Sequence, residues 1–188
     1  NLACDFCLEG SSPSDKRLQS PKLADIIPYI DESLALGTQQ FSFTGGEPML
    51  INDMVAVLKY ASQFKPCLVL TNGTAPLLKR LAALNALGTT CHPIAFRVSL
   101  DSPDAKTHNA GRGKGQFEEA LVGMRKLYQA GFPISVARHM KKGENLELVT
   151  RQDQAVYKRN GIPEDINMVA FPDFWTPGSL PKLSLIHT

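Results

Sequence analysis

The sequence predicts an α/β domain built on parallel strands, and three observations predict it. Short strand-like apolar runs alternate with helix-like segments from Pro21 to Phe171. Several of the helix-like segments close on a glycine (Gly37, Gly88, Gly131, Gly161), the residue that ends a helix at least cost. The polar, glycine-bearing stretches follow the strands and do not precede them. One helix between each strand and the next calls for parallel pairing through right-handed crossovers. Periodicity alone leaves open whether such a sheet stays open or curls into a barrel.

The elements are read in order. Leu23, Ile26, Ile27, Ile30 and Leu34 recur at helical spacing over Pro21–Leu36, with Ser20 as expected N-cap and Pro21 in the first turn. Gln39–Phe43 reads as a strand entering Thr44-Gly45-Gly46-Glu47-Pro48, and residues 52–64 return to helical spacing. Cys67–Leu70 is a buried strand ending in Thr71-Asn72-Gly73, and Pro76–Leu87 a Leu/Ala-rich helix. Ile94–Leu100 is a strand ending at Asp101, followed by a long polar loop holding Gly111, Gly113 and Gly115. Gln116–Ala130 is a helix, Ile134–Ala137 a strand, Glu144–Asn160 a helix and Ile166–Phe171 the last strand. Residues 1–171 are expected to form one core domain, and Pro172–Thr188, Pro/Ser-rich and weakly patterned, a linker or the start of a further region.

Composition narrows the function classes. At 188 residues, 43% of them hydrophobic, the chain can bury a core and is no disordered tail. A net charge of +2 without a Lys/Arg stripe gives no support for nucleic-acid binding. Apolar runs such as Leu68–Leu70 or Ile94–Phe96 are far too short to span a bilayer, and no signal sequence opens the chain. Four cysteines, spaced as one C-x-x-C plus two singles, do not make a secreted disulfide framework, so a reducing cytoplasm is expected. The chain begins with Asn1 instead of methionine, as a fragment with its upstream part missing would.

The polar, glycine-bearing stretches fall at strand ends, the edge where parallel α/β folds build ligand sites. Cys4-Asp5-Phe6-Cys7 precedes the first helix. Thiolates are soft ligands for iron–sulfur clusters or zinc, and C-x-x-C alone is equally half a zinc site, a redox pair or two unrelated thiols. Gly45 and Gly46 let backbone approach a ligand, and the Glu47 carboxylate can accept a bond from an ammonium group. Ser99 and Asp101 share one face by the period of two. Arg112 carries a guanidinium fork suited to a carboxylate. His108 reads as an exposed loop histidine or a substrate contact, and Asn72 chiefly as a turn residue. Cys67 reads as a buried core thiol, whereas Cys91-His92 lacks the spacing of a metal site. Arg138, His139 and the Phe171–Trp175 stretch sit where they could line the site.

Asn1-Leu2-Ala3-Cys4-Asp5-Phe6-Cys7 resembles the end of the C-x-x-x-C-x-x-C motif of radical S-adenosylmethionine (SAM) enzymes. Gly45-Gly46-Glu47-Pro48, Arg97-Val98-Ser99-Leu100-Asp101 and His108-Asn109-Ala110-Gly111-Arg112-Gly113 are similar to further motifs of that family, in the family's order. The resemblance covers residues 1 to about 170 and implies a partial TIM-like (β/α)6 barrel with the first strand missing. It implies a [4Fe–4S] cluster held by Cys4, Cys7 and a cysteine immediately before Asn1, with the open iron chelated by SAM. Phe6 would pack near the adenine, Glu47 would meet the SAM ammonium, Ser99 and Asp101 the ribose or methionyl group, and Arg112 the SAM carboxylate. The implied reaction is reductive SAM cleavage to a 5′-deoxyadenosyl radical, with a flavodoxin or ferredoxin as electron donor and a small-molecule or peptide substrate. Two other readings stand beside it: a zinc or redox module on Cys4/Cys7, which requires Cys67 or Cys91/His92 nearby, and a cluster-less binding scaffold.

Overall fold

A computed structural model of the chain describes residues 1–4, 7, 12–14, 19–139 and 143–171. The expectations for Phe6 and for the 172–188 tail, Trp175 included, lie outside the described residues. The strands are β1 (Phe41–Phe43), β2 (Cys67–Thr71), β3 (Ile94–Ser99), β4 (Ile134–His139) and β5 (Met168–Phe171). The helices are α1 (Leu23–Ala35), α2 (Met54–Ala61), α3 (Ala75–Asn85), α4 (Ala105–Arg112), α5 (Gln116–Gln129) and α6 (Leu146–Arg159), with a 3-10 turn at Pro48–Leu50. All the strands pair in parallel, in the order β1-β2-β3-β4-β5.

That order settles what periodicity left open. A doubly wound sheet reverses its strand order part-way and places helices on both faces. Here the order never reverses, as in a barrel wound in one direction. The burial pattern agrees with helices on a single face. Cys67, Val69 and Thr71 of β2, Ile94, Phe96 and Val98 of β3, and Val136 and Arg138 of β4 are buried. Their alternates (Leu68, Leu70, Ala95, Arg97, Ser99, Ser135, Ala137, His139) remain half-exposed. The apolar members of the first set pack with the buried stripe of α5, Ala120, Met124 and Leu127, into the core. The second set forms the inner, concave face of a part-closed barrel.

Two local expectations are corrected. The first helix is not capped by Ser20 and Pro21 lies outside it: Lys22 is the N-cap. Asp25 accepts from the Lys22 amide at 2.9 Å, and Asp53, just before α2, accepts from the Leu23 amide at 2.9 Å. Carboxylates at a helix start satisfy orphan N–H groups and the dipole together, and one of these is supplied from the next unit of the chain. The polar loop after Asp101 is largely helix, α4. Asp104 caps it by accepting from the Thr107 amide at 2.8 Å, and Gly113, at φ 109°, ends it.

Candidate functional site

The C-terminal ends of the strands surround a cavity of about 360 Å³. Cys4, Cys7, Gly45, Gly46, Ser99, Asp101 and Arg112 all line it, so residues from the start of the chain, the β1 loop, the β3 end and α4 converge. Asn1, Thr44, Asn72, Arg138, His139 and Phe171 complete the parts of the wall used below.

The cysteine segment is held by its own turn and by a tether. The Cys7 amide donates to the Cys4 carbonyl at 3.3 Å, which brings both thiols to one wall. The Asn1 side-chain oxygen accepts from Asn72 Nδ2 at 2.9 Å, and Asn1 Nδ2 donates to Thr74 Oγ1 at 3.3 Å. Asn72 therefore does both jobs. Its Oδ1 accepts from the Thr74 amide and hydroxyl, closing the turn, while its amide reaches the cysteine segment. The role of Asn1 has no local sequence signal, because its partners stand far along the chain.

The Glu47 carboxylate is engaged by protein groups. The side chain lies beneath the cavity wall, 5% exposed. Oε1 accepts from the Met49 amide at 3.1 Å and from Thr71 Oγ1 at 2.8 Å, and Oε2 accepts from the Asn72 amide at 2.8 Å. Burial raises its pKa, opposed by those same bonds. In this structure Glu47 ties the Gly45-Gly46 turn to the end of β2, and its carboxylate is not part of the cavity lining. Gly45, at φ 126°, occupies backbone space that side chains rarely adopt.

Asp101 is the hub of the opposite wall. Its amide donates to His108 Nδ1 at 3.2 Å, its carbonyl accepts from Arg138 Nε at 3.2 Å, and its carboxylate pairs with Arg112 through two nitrogens. Arg112 Nη1 also lies 3.9 Å from Cys4 Sγ. The guanidinium assigned to a SAM carboxylate is thus engaged by Asp101 and faces the cysteine wall. His108 corrects the exposed-loop reading: it is 1% exposed, inside α4, edge-on to Phe117. Burial lowers its pKa to about 4, so at neutral pH it is a neutral imidazole able to accept from the Asp101 amide.

Behind Arg138, on the helix side of β4, Glu144 accepts from Nη2 at 2.5 Å and the buried Asp153 of α6 lies near. Burial lifts Asp153 to about 6, with Arg138 opposing. These two buried groups pull stability in opposite directions. His108, depressed in the fold, binds its proton more readily when unfolded, so stability rises as pH climbs from about 4 to 6.5. Asp153, raised in the fold, holds its proton longer when folded, so stability falls as pH climbs from about 4 to 6. Asp153→Asn is expected to remove the second effect and leave a net gain of about 2–3 kcal/mol on raising the pH across that window. Urea melts at pH 4.5 and 7 on both proteins check it; an unchanged difference between the two pH values sinks it.

The cysteines sort by position. Cys67, at the opposite end of β2, is buried among core side chains, which pushes its pKa up to about 11. Cys91 is exposed, away from the cavity lining. Neither joins Cys4 and Cys7, and no cluster of three or more His, Cys, Asp or Glu ligands forms among the described residues. The zinc reading, which needed such a partner, therefore loses its second half. Burial pushes the Cys4 thiol up in pKa while Arg112 pulls it back. Two soft donors on one wall fit a thiolate-bound cluster as part of its ligand set. No helix among the described residues is long and apolar enough to cross a membrane.

Comparisons with known proteins fit this geometry. The AdoMet-dependent heme synthase of Methanosarcina barkeri (strain Fusaro) is 31% identical over 153 residues, covering 80% of this chain and 42% of that protein. The GTP 3′,8-cyclase of Edwardsiella ictaluri (strain 93-146) is 32% identical over 151 residues, covering 77% of this chain and 44% of that protein. The chain therefore spans under half the length of these relatives. A radical SAM methyltransferase from Sphaerobacter thermophilus shares the fold, with a TM-score of 0.60 over 91% of this chain and 62% of that one, at 13% identity. The model of the Radical SAM superfamily matches residues 1–150. On the strength of that match, the chain belongs to the radical SAM superfamily, whose members are enzymes that use a [4Fe–4S] cluster and SAM.

Proposed function

We propose that this chain is the SAM-binding core of an enzyme that cleaves SAM reductively and uses the 5′-deoxyadenosyl radical to take a hydrogen atom from a small-molecule or peptide substrate. The observation that carries the reading is the convergence of Cys4, Cys7, Gly45, Gly46, Ser99, Asp101 and Arg112 on one cavity. A cluster held by these thiolates would supply one electron, delivered by a flavodoxin or ferredoxin, to break the S–C5′ bond of SAM into methionine and the radical.

The chain's own residues do the holding. Cys4 and Cys7 are two thiolate ligands, and a third is expected from a cysteine immediately before Asn1. The Gly45-Gly46 backbone receives the methionyl end, with Glu47 acting from beneath to fix that turn. Ser99 and Asp101 face the ribose or methionyl group. Arg112 can serve Asp101 and the SAM carboxylate together, since a guanidinium offers five N–H donors. Phe6 is assigned to the adenine. The relatives act in heme synthesis and on GTP by their names, so the shared core does not select the substrate, and recognition belongs to residues outside the SAM contacts.

The test places a cysteine before Asn1, reconstitutes the protein anaerobically, and measures iron, sulfide and dithionite-dependent 5′-deoxyadenosine. The expected result is a sulfide-bearing cluster and 5′-deoxyadenosine from SAM. One zinc per chain with no 5′-deoxyadenosine would overturn the reading in favour of a zinc module. An intact cluster that leaves SAM untouched would overturn it in favour of a scaffold.

A further inference from the structure

Both backbone groups of Asp101 are held by side chains: His108 Nδ1 accepts from the amide, and Arg138 Nε donates to the carbonyl at 3.2 Å. His108, and Arg112 on the carboxylate, belong to α4, the helix that follows Asp101 directly. Arg138 comes from another unit of the barrel, the end of β4, 37 residues further along. It borders the cavity but is only 2% exposed, so any action on a bound molecule runs through Asp101.

Behind Arg138 lies a polar cluster that packing does not require. Its Nη2 donates to Glu144, just before α6, at 2.5 Å. Its Nη1, both carboxylate oxygens of Asp153 and the Tyr157 hydroxyl are buried and have no hydrogen-bond partner among the described residues. Asp153 and Tyr157 stand one turn apart on the same face of α6, within electrostatic reach of Arg138. Ordered water can complete such bonds, yet buried charges still cost desolvation, and a well-packed apolar set of similar volume is often as stable or more so. Stability therefore does not explain why an arginine, an aspartate and a tyrosine stand there. What the cluster holds in place, the Asp101 carbonyl, does.

We propose that Arg138 is a positioning residue for SAM: held from behind by Glu144 and the Asp153–Tyr157 face of α6, it fixes the Asp101 carbonyl and with it the direction in which Asp101 and Arg112 face the cavity. The carbonyl and the carboxylate of Asp101 hang from one Cα, so freeing the first lets the second swing and takes the paired Arg112 with it. This rests on the reading of the cavity as the SAM site, in which Asp101 and Arg112 meet the bound molecule. Arg138 itself takes no part in breaking the S–C5′ bond.

The test uses protein carrying a cysteine before Asn1 and reads SAM affinity by calorimetry, with and without the reconstituted cluster, beside urea melts and iron content. Arg138→Met/Asp153→Leu/Tyr157→Phe removes the orphaned atoms of the cluster together and fills the space with apolar groups. This triple variant is expected to be no less stable than wild type and to keep its iron, while its Kd for SAM rises at least about tenfold. Arg138→Lys keeps the charge but cannot span Asp101 and Glu144 as a fork does, and is expected to weaken SAM binding less. In turnover, the KM for SAM should rise by a larger factor than kcat falls. A stable triple variant with wild-type affinity for SAM would overturn the assignment. If the triple variant does not fold, Arg138→Lys decides: weakened SAM binding at wild-type stability supports the assignment, and wild-type affinity, or a loss that only tracks stability, overturns it. The two readings fail separately. Wild-type protein that binds and cleaves SAM, with variants that bind it equally well, loses only the Arg138 assignment. Wild-type protein that binds no SAM loses the reading of the cavity, and the Arg138 assignment with it.

Discussion

Gly123→Ala is expected to unfold the protein or cost it about 3–5 kcal/mol, near the upper end for a single added methyl group. A Cβ at Gly123 would lie 2.0 Å from the Gly73 carbonyl oxygen and 2.9 Å from its carbonyl carbon, and both are backbone atoms with no rotamer to yield. Gly73 cannot retreat. It holds φ 74°, and a Cβ there would already meet Val98 Cγ1 at 2.7 Å. Helix α5 is pressed against the Thr71-Asn72-Gly73 turn with no intervening side chain. That turn in turn holds Asn1 and Glu47, so the helix supports the cysteine wall from behind. Chemical denaturation measures the loss, and a second readout follows from the geometry. If Gly123→Ala folds at low temperature, its iron content after reconstitution should fall with the displaced turn. A variant as stable as wild type, by less than about 1 kcal/mol, would show that α5 does not bear on the turn as described.

Legibility in the sequence followed the range of the physics involved. The strands could be read because their core-facing positions are aliphatic (Val69, Phe96, Val98, Val136), and the helices because their buried stripes repeat at 3.6 residues and end in glycine. The cavity residues could be read because parallel folds collect polar side chains at one strand edge. Helix α4 was missed since Ala-Lys-Thr-His-Asn-Ala-Gly-Arg has almost no apolar face; its only buried residue is His108. What makes it a helix is the Asp104 cap and the lock between His108 and the Asp101 amide. The same holds for Lys22 as N-cap, for Gly123, and for Asn1 bonded to Asn72. Each depends on a partner far away in the chain or on a polar contact, and periodicity carries no record of either. Glu47 shows the limit from the other side. Its residue type points to a ligand contact, whereas its bonds to the Met49 and Asn72 amides and the Thr71 hydroxyl can be seen only in coordinates.

Cys4→Ala and Cys7→Ala, each made in protein carrying a cysteine before Asn1, are expected to abolish cluster assembly and lower 5′-deoxyadenosine formation by far more than a hundredfold. Loss of a group that merely orients a metal ligand costs about 10–100-fold, and here a ligand itself is removed. The expectation is sharpened by the other thiols. Cys67 is 2% exposed at the far end of β2 and Cys91 lies outside the cavity lining, so neither can substitute. Cys91→Ser should retain both iron and turnover, as should Cys67→Ala once its loss of packing is allowed for. The Cys4 variant should also show an effect before any iron is added. Arg112 Nη1 lies 3.9 Å from Cys4 Sγ, and Arg112 also lies beside Asp101. Cys4→Ala therefore removes a neighbour of Arg112 and should slow or weaken SAM binding to the cluster-free protein. Iron and sulfide analysis with SAM titration of the apo variants reads both effects. Turnover retained without Cys7 would mean that the cysteine wall is not where the electron enters, whatever else the cavity binds.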